Sequence, residues 1–172
     1  TAAALPKVHA AEIVSSPPAT LVSEFYQTLS PSQRKSICKP LGDPTMLKAD
    51  PNWHVSDPLI EDDFYSDSQR ATIEEIVKQL VSDDGFDRLM TQMDDDDGGL
   101  GAYSVAVFGT PGQTEFQWVL TGRHCTLRAD GNSIAGRAFG GPMIYGHGEP
   151  SPKHNLFHYQ TQRANEVFAA LD

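Results

Sequence analysis

Hydrophobic positions recur at helical spacing up to Met93, at strand spacing from Tyr103 onward, and at helical spacing again near the end of the chain. Leu21, Val22, Phe25, Tyr26 and Leu29 predict a first helix, with Thr20 able to cap it. Ser30-Pro31-Ser32-Gln33 reads as a second start. Serine accepts an orphan backbone N–H, proline fits the first helical position, and glutamine three residues on closes a capping box. That helix ends before Pro40. Leu41 to Pro58 is irregular, because each proline removes a donor and restricts its predecessor. Trp53 within it is expected to fold back onto the core. Ser66 to Ser82 carries the strongest helical stripe: Ile73, Ile76, Val77, Leu80 and Val81, with Glu74, Glu75, Lys78 and Gln79 opposite. Asp83-Asp84-Gly85 predicts a turn, and Phe86, Leu89, Met90 and Met93 a further short helix, so the pair reads as an αα-hairpin.

After Gly99 the period becomes two. Tyr103, Val105 and Val107 alternate with small residues, and Thr110-Pro111-Gly112 signals a turn. Phe116, Trp118 and Leu120 share one face, and strict alternation carries that face on to Gly122 and His124. Asp130-Gly131-Asn132 supports a tight turn, with short strands predicted over Ile134 to Phe139 and Met143 to Tyr145. Connections this short exclude helical crossovers, so the strands are predicted to form an antiparallel meander. Ser151-Pro152 repeats the serine–proline start, and Phe157, Ala164, Val167, Phe168 and Leu171 form the apolar stripe of a closing helix. The fold class expected is α+β: N-terminal helices and an αα-hairpin packed on a small antiparallel meander, closed by a C-terminal helix. Residues 20–172 read as one domain, and 1–19 as a signal-peptide remnant and linker.

Charge narrows the range of partners. Thirteen Lys and Arg stand against 23 Asp and Glu, a formal net charge of −10. With no basic stripe to neutralise phosphates, a nucleic-acid partner is not expected. No run of 18 apolar residues predicts a membrane span. The acidic stretch Asp94 to Asp97 fails as a calcium loop. Aligning Gly98 with the glycine of an EF-hand leaves Met93 and Ser104 at the two ligand ends, so a solvated acidic loop is expected. Cys38 and Cys125 read as two separate buried thiols, although a single bridge in an oxidising compartment stays open. Val8 and Ala10 fit the small-residue cleavage pattern of a secretory signal. The last helix stops without a capping glycine, which suggests a truncated gene product.

Phe25-Tyr-Gln-Thr-Leu-Ser-Pro-Ser-Gln-Arg34, the Trp53 loop, Val105-Ala-Val-Phe-Gly-Thr-Pro111, Trp118-Val-Leu-Thr-Gly-Arg-His124 and the glycine-rich Phe139 to Pro150 segment together resemble the bacterial family called domain of unknown function 3500. The resemblance is to its planctomycete-type members and covers nearly the whole chain after Thr20. It implies an exported protein, periplasmic or extracellular, longer than 172 residues, and brings no activity, cofactor or partner. The commoner family pattern has Gly-His-His-Leu where this chain has Gly122-Arg123-His124-Cys125, so only His124 matches.

Four histidines form the candidate site. His124 ends the aromatic strand, and His147 stands in a Gly-His-Gly turn that lets a backbone approach closely. His154 and His158 share one face if the last helix begins at Pro152. Imidazoles so placed suit zinc or copper, with His124, His147 and His158 as ligands and His154 and Glu149 as additions. A metal with one open position generates hydroxide for hydrolysis. His154-Asn-Leu-Phe-His158 lacks the glutamate of a metalloprotease HExxH helix, so no general base is supplied there. Each histidine also has an ordinary reading as a partly buried, hydrogen-bonded core residue. Ser104 and Ser133 lack a nucleophile elbow, and Cys125 should point away from His124. Arg123 and Arg128 could grip an anionic ligand, but surface ion pairs are the expected role. The functional class expected is an exported, non-catalytic binding or interaction domain, with a metal-binding protein or metal-dependent hydrolase as the alternative.

Overall fold

In the computed structural model, residues 17–113, 115–131, 143–145, 151, 153 and 155–171 are described. The architecture is α+β. Helices α1 (Pro17–Thr28), α2 (Pro31–Ile37), α3 (Asp67–Leu80) and α4 (Asp83–Asp97) precede most of the sheet, and α5 (His158–Ala169) follows it. Strands β1 (Cys38–Lys39), β2 (Ser104–Gly109), β3 (Phe116–Gly122), β4 (Cys125–Gly131) and β5 (Met143–Tyr145) lie in that spatial order. From β2 to β5 the sheet is the antiparallel meander that the short connections dictate. The two residues of β1 add a parallel edge, Cys38 opposite Val107 and Lys39 opposite Phe108. So short a strand carries no alternation from which to read it.

Phe116, Trp118 and Leu120 point together into the main core. The register builds rows across that face: Val105–Leu120–Leu127 and Val107–Trp118–Ala129. Val22, Phe25, Ile37, Ile73, Ile76, Val77, Leu89 and Met93 of α1 to α4 cover them. The Ser30 and Ser66 capping boxes both form, and their glutamines meet: Gln33 Nε2 donates to Gln69 Oε1 at 2.9 Å. Gln69 Nε2 also donates to the Thr28 carbonyl at 3.2 Å, which joins three helix ends through one amide.

The opposite sheet face is covered by the proline-rich segment 43–58. Trp53 and Met46 pack against Val55, Ala106, Phe108 and Val119, so the tryptophan serves as the plug its setting predicts. The Val55 N–H is shared between Ser104 Oγ (3.0 Å) and Thr121 Oγ1 (2.8 Å), and Trp53 Nε1 donates to Thr126 Oγ1 (3.0 Å). Arg128 is buried on this face, donating to Gln117 Oε1 (3.1 Å) and the Lys48 carbonyl (2.7 Å), and is not a surface ion-pair residue.

Several boundaries differ from the pattern-based expectation. α1 starts at Pro17, not after Thr20, because proline at a first helical turn forgoes only N–H groups that have no partner there. Asp83-Asp84-Gly85 is no turn. Ser82 caps α4 by accepting the Gly85 N–H, and the two aspartates occupy the favourable end of the helix macrodipole. At the other end Asp94 to Asp97 are helical, and Gly98 at φ 82° closes the helix. Asp130 and Gly131 continue β4 instead of turning. α5 begins at His158 rather than Pro152, and its expected closing role is not filled. Phe157 is buried, but Val167, Phe168 and Leu171 are 63%, 77% and 77% exposed. The predicted strand at Ile134 to Phe139 lies outside the described residues.

Cys38 and Cys125 are both free. Their strands stand three places apart, about 14 Å at ordinary strand spacing, beyond the roughly 7 Å limit for a disulfide. Burial pushes the Cys38 thiol up to about 11, partly offset by Arg34, and the Cys125 thiol up to about 12. The bridge is therefore excluded by the sheet order.

Candidate functional site around His124

The turn from β3 to β4 consists of Arg123 and His124, because Gly122 already pairs with Cys125. His124 is thus not on the aromatic strand face, where alternation places it, but in the hairpin turn beyond the last core row. Its φ is 55°, the one left-handed non-glycine among the described residues. That conformation costs an L-residue about 1–2 kcal/mol, so its surroundings must hold it.

Three segments do so. The His124 N–H donates to the Pro51 carbonyl, and Asn52 bridges Arg123. The Tyr103 hydroxyl donates to the Arg123 carbonyl at 2.7 Å. From α4, Asp96 Oδ2 lies 2.9 Å from His124 Nδ1. Asp96 is reached because Gly98 and the short helical turn Leu100–Ala102 reverse the chain into β2, which leaves the end of α4 beside the open end of the sheet. Gln92, one turn earlier and fully buried, donates to the same Asp96 oxygen at 3.3 Å. The side chains of His124 and Asp96 retain 24% and 13% of their exposure. A charge-assisted bond of this kind contributes about 1.5–3 kcal/mol, comparable with the cost of the left-handed residue it secures.

The electrostatics favour positive charge. Asp94, Asp95, Asp96 and Asp97 occupy the last turn of α4, where the helix dipole is itself negative. The Tyr103 hydroxyl is held well above its usual range, first by burial and then by Cys125, Asp96 and Asp97. Cys125 follows His124 in sequence but points into the core and stays a thiol, so the two form no nucleophile–base pair.

His158, the first residue of α5, has a buried Nδ1 without a hydrogen-bond partner among the described residues. Arg88 of α4 binds that end of α5, donating to the Leu156 carbonyl at 3.0 Å and lying 5.0 Å above the Tyr159 ring. α5 starts at His158, after the turn residues 155–157, and not at Pro152. His147, Glu149 and His154 lie outside the described residues, so the ligand set expected from them is not placed here. Among the described residues, no three His, Cys, Asp or Glu side chains gather as a metal site. The pattern-based reading missed Asp96 and Gln92. Gln92 and Asp96 are one turn apart on α4, a spacing that becomes visible only once the acidic run is placed inside the helix.

The family model described as protein of unknown function (DUF3500) matches residues 12–169. The chain belongs to this family. No curated protein and no solved structure matches it. Within this DUF3500 chain, the matched segment contains the Asp96–His124 pair, both sheet faces and all of α5. Among the described residues no helix is long and apolar enough to cross a membrane.

Proposed function

We propose that this chain is an exported, non-catalytic binding or interaction domain that engages another polypeptide through α5. The observation that carries the reading is the apolar patch formed by Val167 and Phe168 in the last turn of α5 and Leu171 just beyond it, all left in water. Amphipathic helices bury such a patch when a partner offers a complementary groove. Burial keeps both thiols protonated, and among the described residues no nucleophile is paired with His124, which agrees with a non-catalytic role. Export, to the periplasm or beyond, rests on the family resemblance.

The test places a photo-crosslinking residue at position 168 in the native host, purifies the captured protein, and titrates it against the wild-type chain and Phe168→Asp. An aromatic anchor at an interface centre is worth about 2 kcal/mol or more, so affinity should fall at least about thirtyfold. Equal binding by both proteins refutes the reading.

A second reading is favoured by one observation, the carboxylate on His124 Nδ1. Metal-bound histidines commonly carry such a partner on the other ring nitrogen. In this reading His124, His147 and His158 hold zinc or copper, with His154 and Glu149 as additional ligands, and the protein stores the metal or hydrolyses a substrate with it. Elemental analysis after dialysis should then find about one equivalent in the wild type and much less in His124→Ala. A metal-free wild type, unchanged after zinc loading and dialysis, removes it.

A further inference from the structure

We propose that α5 is an arm that opens independently of the rest of the domain, and that Arg88, held by Asp84, is the latch that keeps it docked. The inference rests on the α5 reading above for its purpose, whereas the opening stands on packing and helix chemistry alone. No residue of α5 is buried, and every position from Tyr159 to Leu171 is exposed. By contrast, α3 buries Gln69, Ile73, Ile76 and Val77, and α4 buries Leu89, Gln92 and Met93. Helices in proteins draw most of their stability from such a face packed on the core. α5 packs no such face.

Its own turns do not make up the difference. Twelve residues lie at the lower limit for a lone helix in water. Its cap, Phe157, supplies no side-chain bond, the first turn carries no acid, and the last carries no base. Arg163 and Glu166 pair at 2.7 Å, but well exposed and in the order that opposes the helix dipole. The bonds that tie α5 to α4 fall at its first turn and just before it. Arg88 Nη1 donates to the Leu156 carbonyl at 3.0 Å, and the guanidinium lies 5.0 Å from the centre of the Tyr159 ring. Asp84 Oδ2 accepts from Arg88 Nε at 3.0 Å and so aims the side chain at α5. His158 Nδ1 is buried at this docked end without a partner among the described residues, a deficit that water repairs when the arm opens.

An arm hinged at one end can re-aim Val167, Phe168 and Leu171 to suit a partner's groove, and the cost of ordering it falls on the docking step. The experiment is native-state hydrogen exchange on the unbound chain at neutral pH, read for α5 and α3 separately. Amides of α5 should exchange at least about 100-fold faster than those of α3, after correction for sequence, at rates that low urea leaves unchanged. Arg88→Ala should speed exchange in α5 by about 5–20-fold and leave α3 as it was. Arg88→Lys keeps a charge for Asp84 but loses the fork that reaches the Leu156 carbonyl, and should fall between.

Protection in α5 equal to that in α3, and falling with urea in step with it, means that the arm opens only when the domain unfolds, and overturns the proposal. Fast exchange in α5 that Arg88→Ala leaves unchanged overturns the latch. Both results are read without a partner, so they stand apart from the crosslinking test at position 168. Equal binding by wild type and Phe168→Asp removes the purpose given to the arm and leaves its opening in place. Should Arg88→Ala fail to fold, the wild-type ratio and its urea dependence decide the opening, and Arg88→Lys decides the latch.

Discussion

Trp118→Ala should lower unfolding stability by about 4 kcal/mol, read as a shift of the denaturant midpoint at unchanged slope. Trp118 is fully buried at the centre of the middle strand, flanked across the sheet by Val107 and Ala129 and covered by the helices. Neither flanking side chain can swell to fill the space, so most of the cavity would persist. The corresponding fall in melting temperature is roughly 10 °C for a domain of this length. Trp118→Phe should cost clearly less. The indole Nε1 is buried without a hydrogen-bond partner among the described residues, and phenylalanine removes that unpaired donor along with part of the ring. Equal losses for the two variants would show that the phenyl ring does not fill the space the indole leaves.

Gly122→Ala should cost about 3 kcal/mol by the opposite mechanism, overpacking. A methyl group there would lie 2.3 Å from the ring of Tyr103, the residue just before the neighbouring strand β2. The ring cannot swing aside cheaply, because its hydroxyl is bonded to the Arg123 carbonyl. Phe116 covers Gly131 in the same way at the far end of the sheet, again at 2.3 Å from the added carbon. Aromatic rings over glycines of adjacent strands thus close both ends of the core face. Tyr103→Ala in the Gly122→Ala background should restore part of the loss, so the double variant is expected to be more stable than the sum of the single effects allows. Additive losses would show that the ring and the added methyl never compete. Tyr103→Ala also removes the hydroxyl that holds the Arg123 carbonyl in the turn beside His124.

The fold was legible where local pattern and tertiary contact agree. Ser66 to Leu80 has one apolar stripe and a complete capping box, and Phe116, Trp118 and Leu120 alternate cleanly, so period alone places them. β1 was invisible because two residues have no period and their pairing with β2 is set by a contact some 70 residues away. The acidic residues around α4 were misread for a different reason. Aspartate is a poor helix former in general, yet Asp83 and Asp84 gain from the N-terminal dipole, and Asp96 is answered by Gln92 and His124. Both are tertiary or positional effects that composition does not carry. His124 stands out in the sequence, but strict alternation places it on a strand face. The sheet runs out one residue too soon for that, at Gly122, and the histidine turns outward into the loop. Its partner Asp96 could not be paired with it from sequence, because a closing glycine and a short helical turn decide where the end of α4 lands. The histidine-bearing segment from 146 to 150 lies outside the described residues, so the grouping of His124 with His147 remains the proposal made above.

The separation of Cys38 and Cys125 by two intervening strands has a practical meaning for how this domain reaches its native state. Cys38 and Cys125 are too far apart to cross-link, and both sulfurs stay protonated at neutral pH, so the fold does not depend on a bond between them. Glutathione and air should leave the same intramolecular species, and a covalent dimer on a non-reducing gel should run through the half-buried Cys38 and not through the buried Cys125.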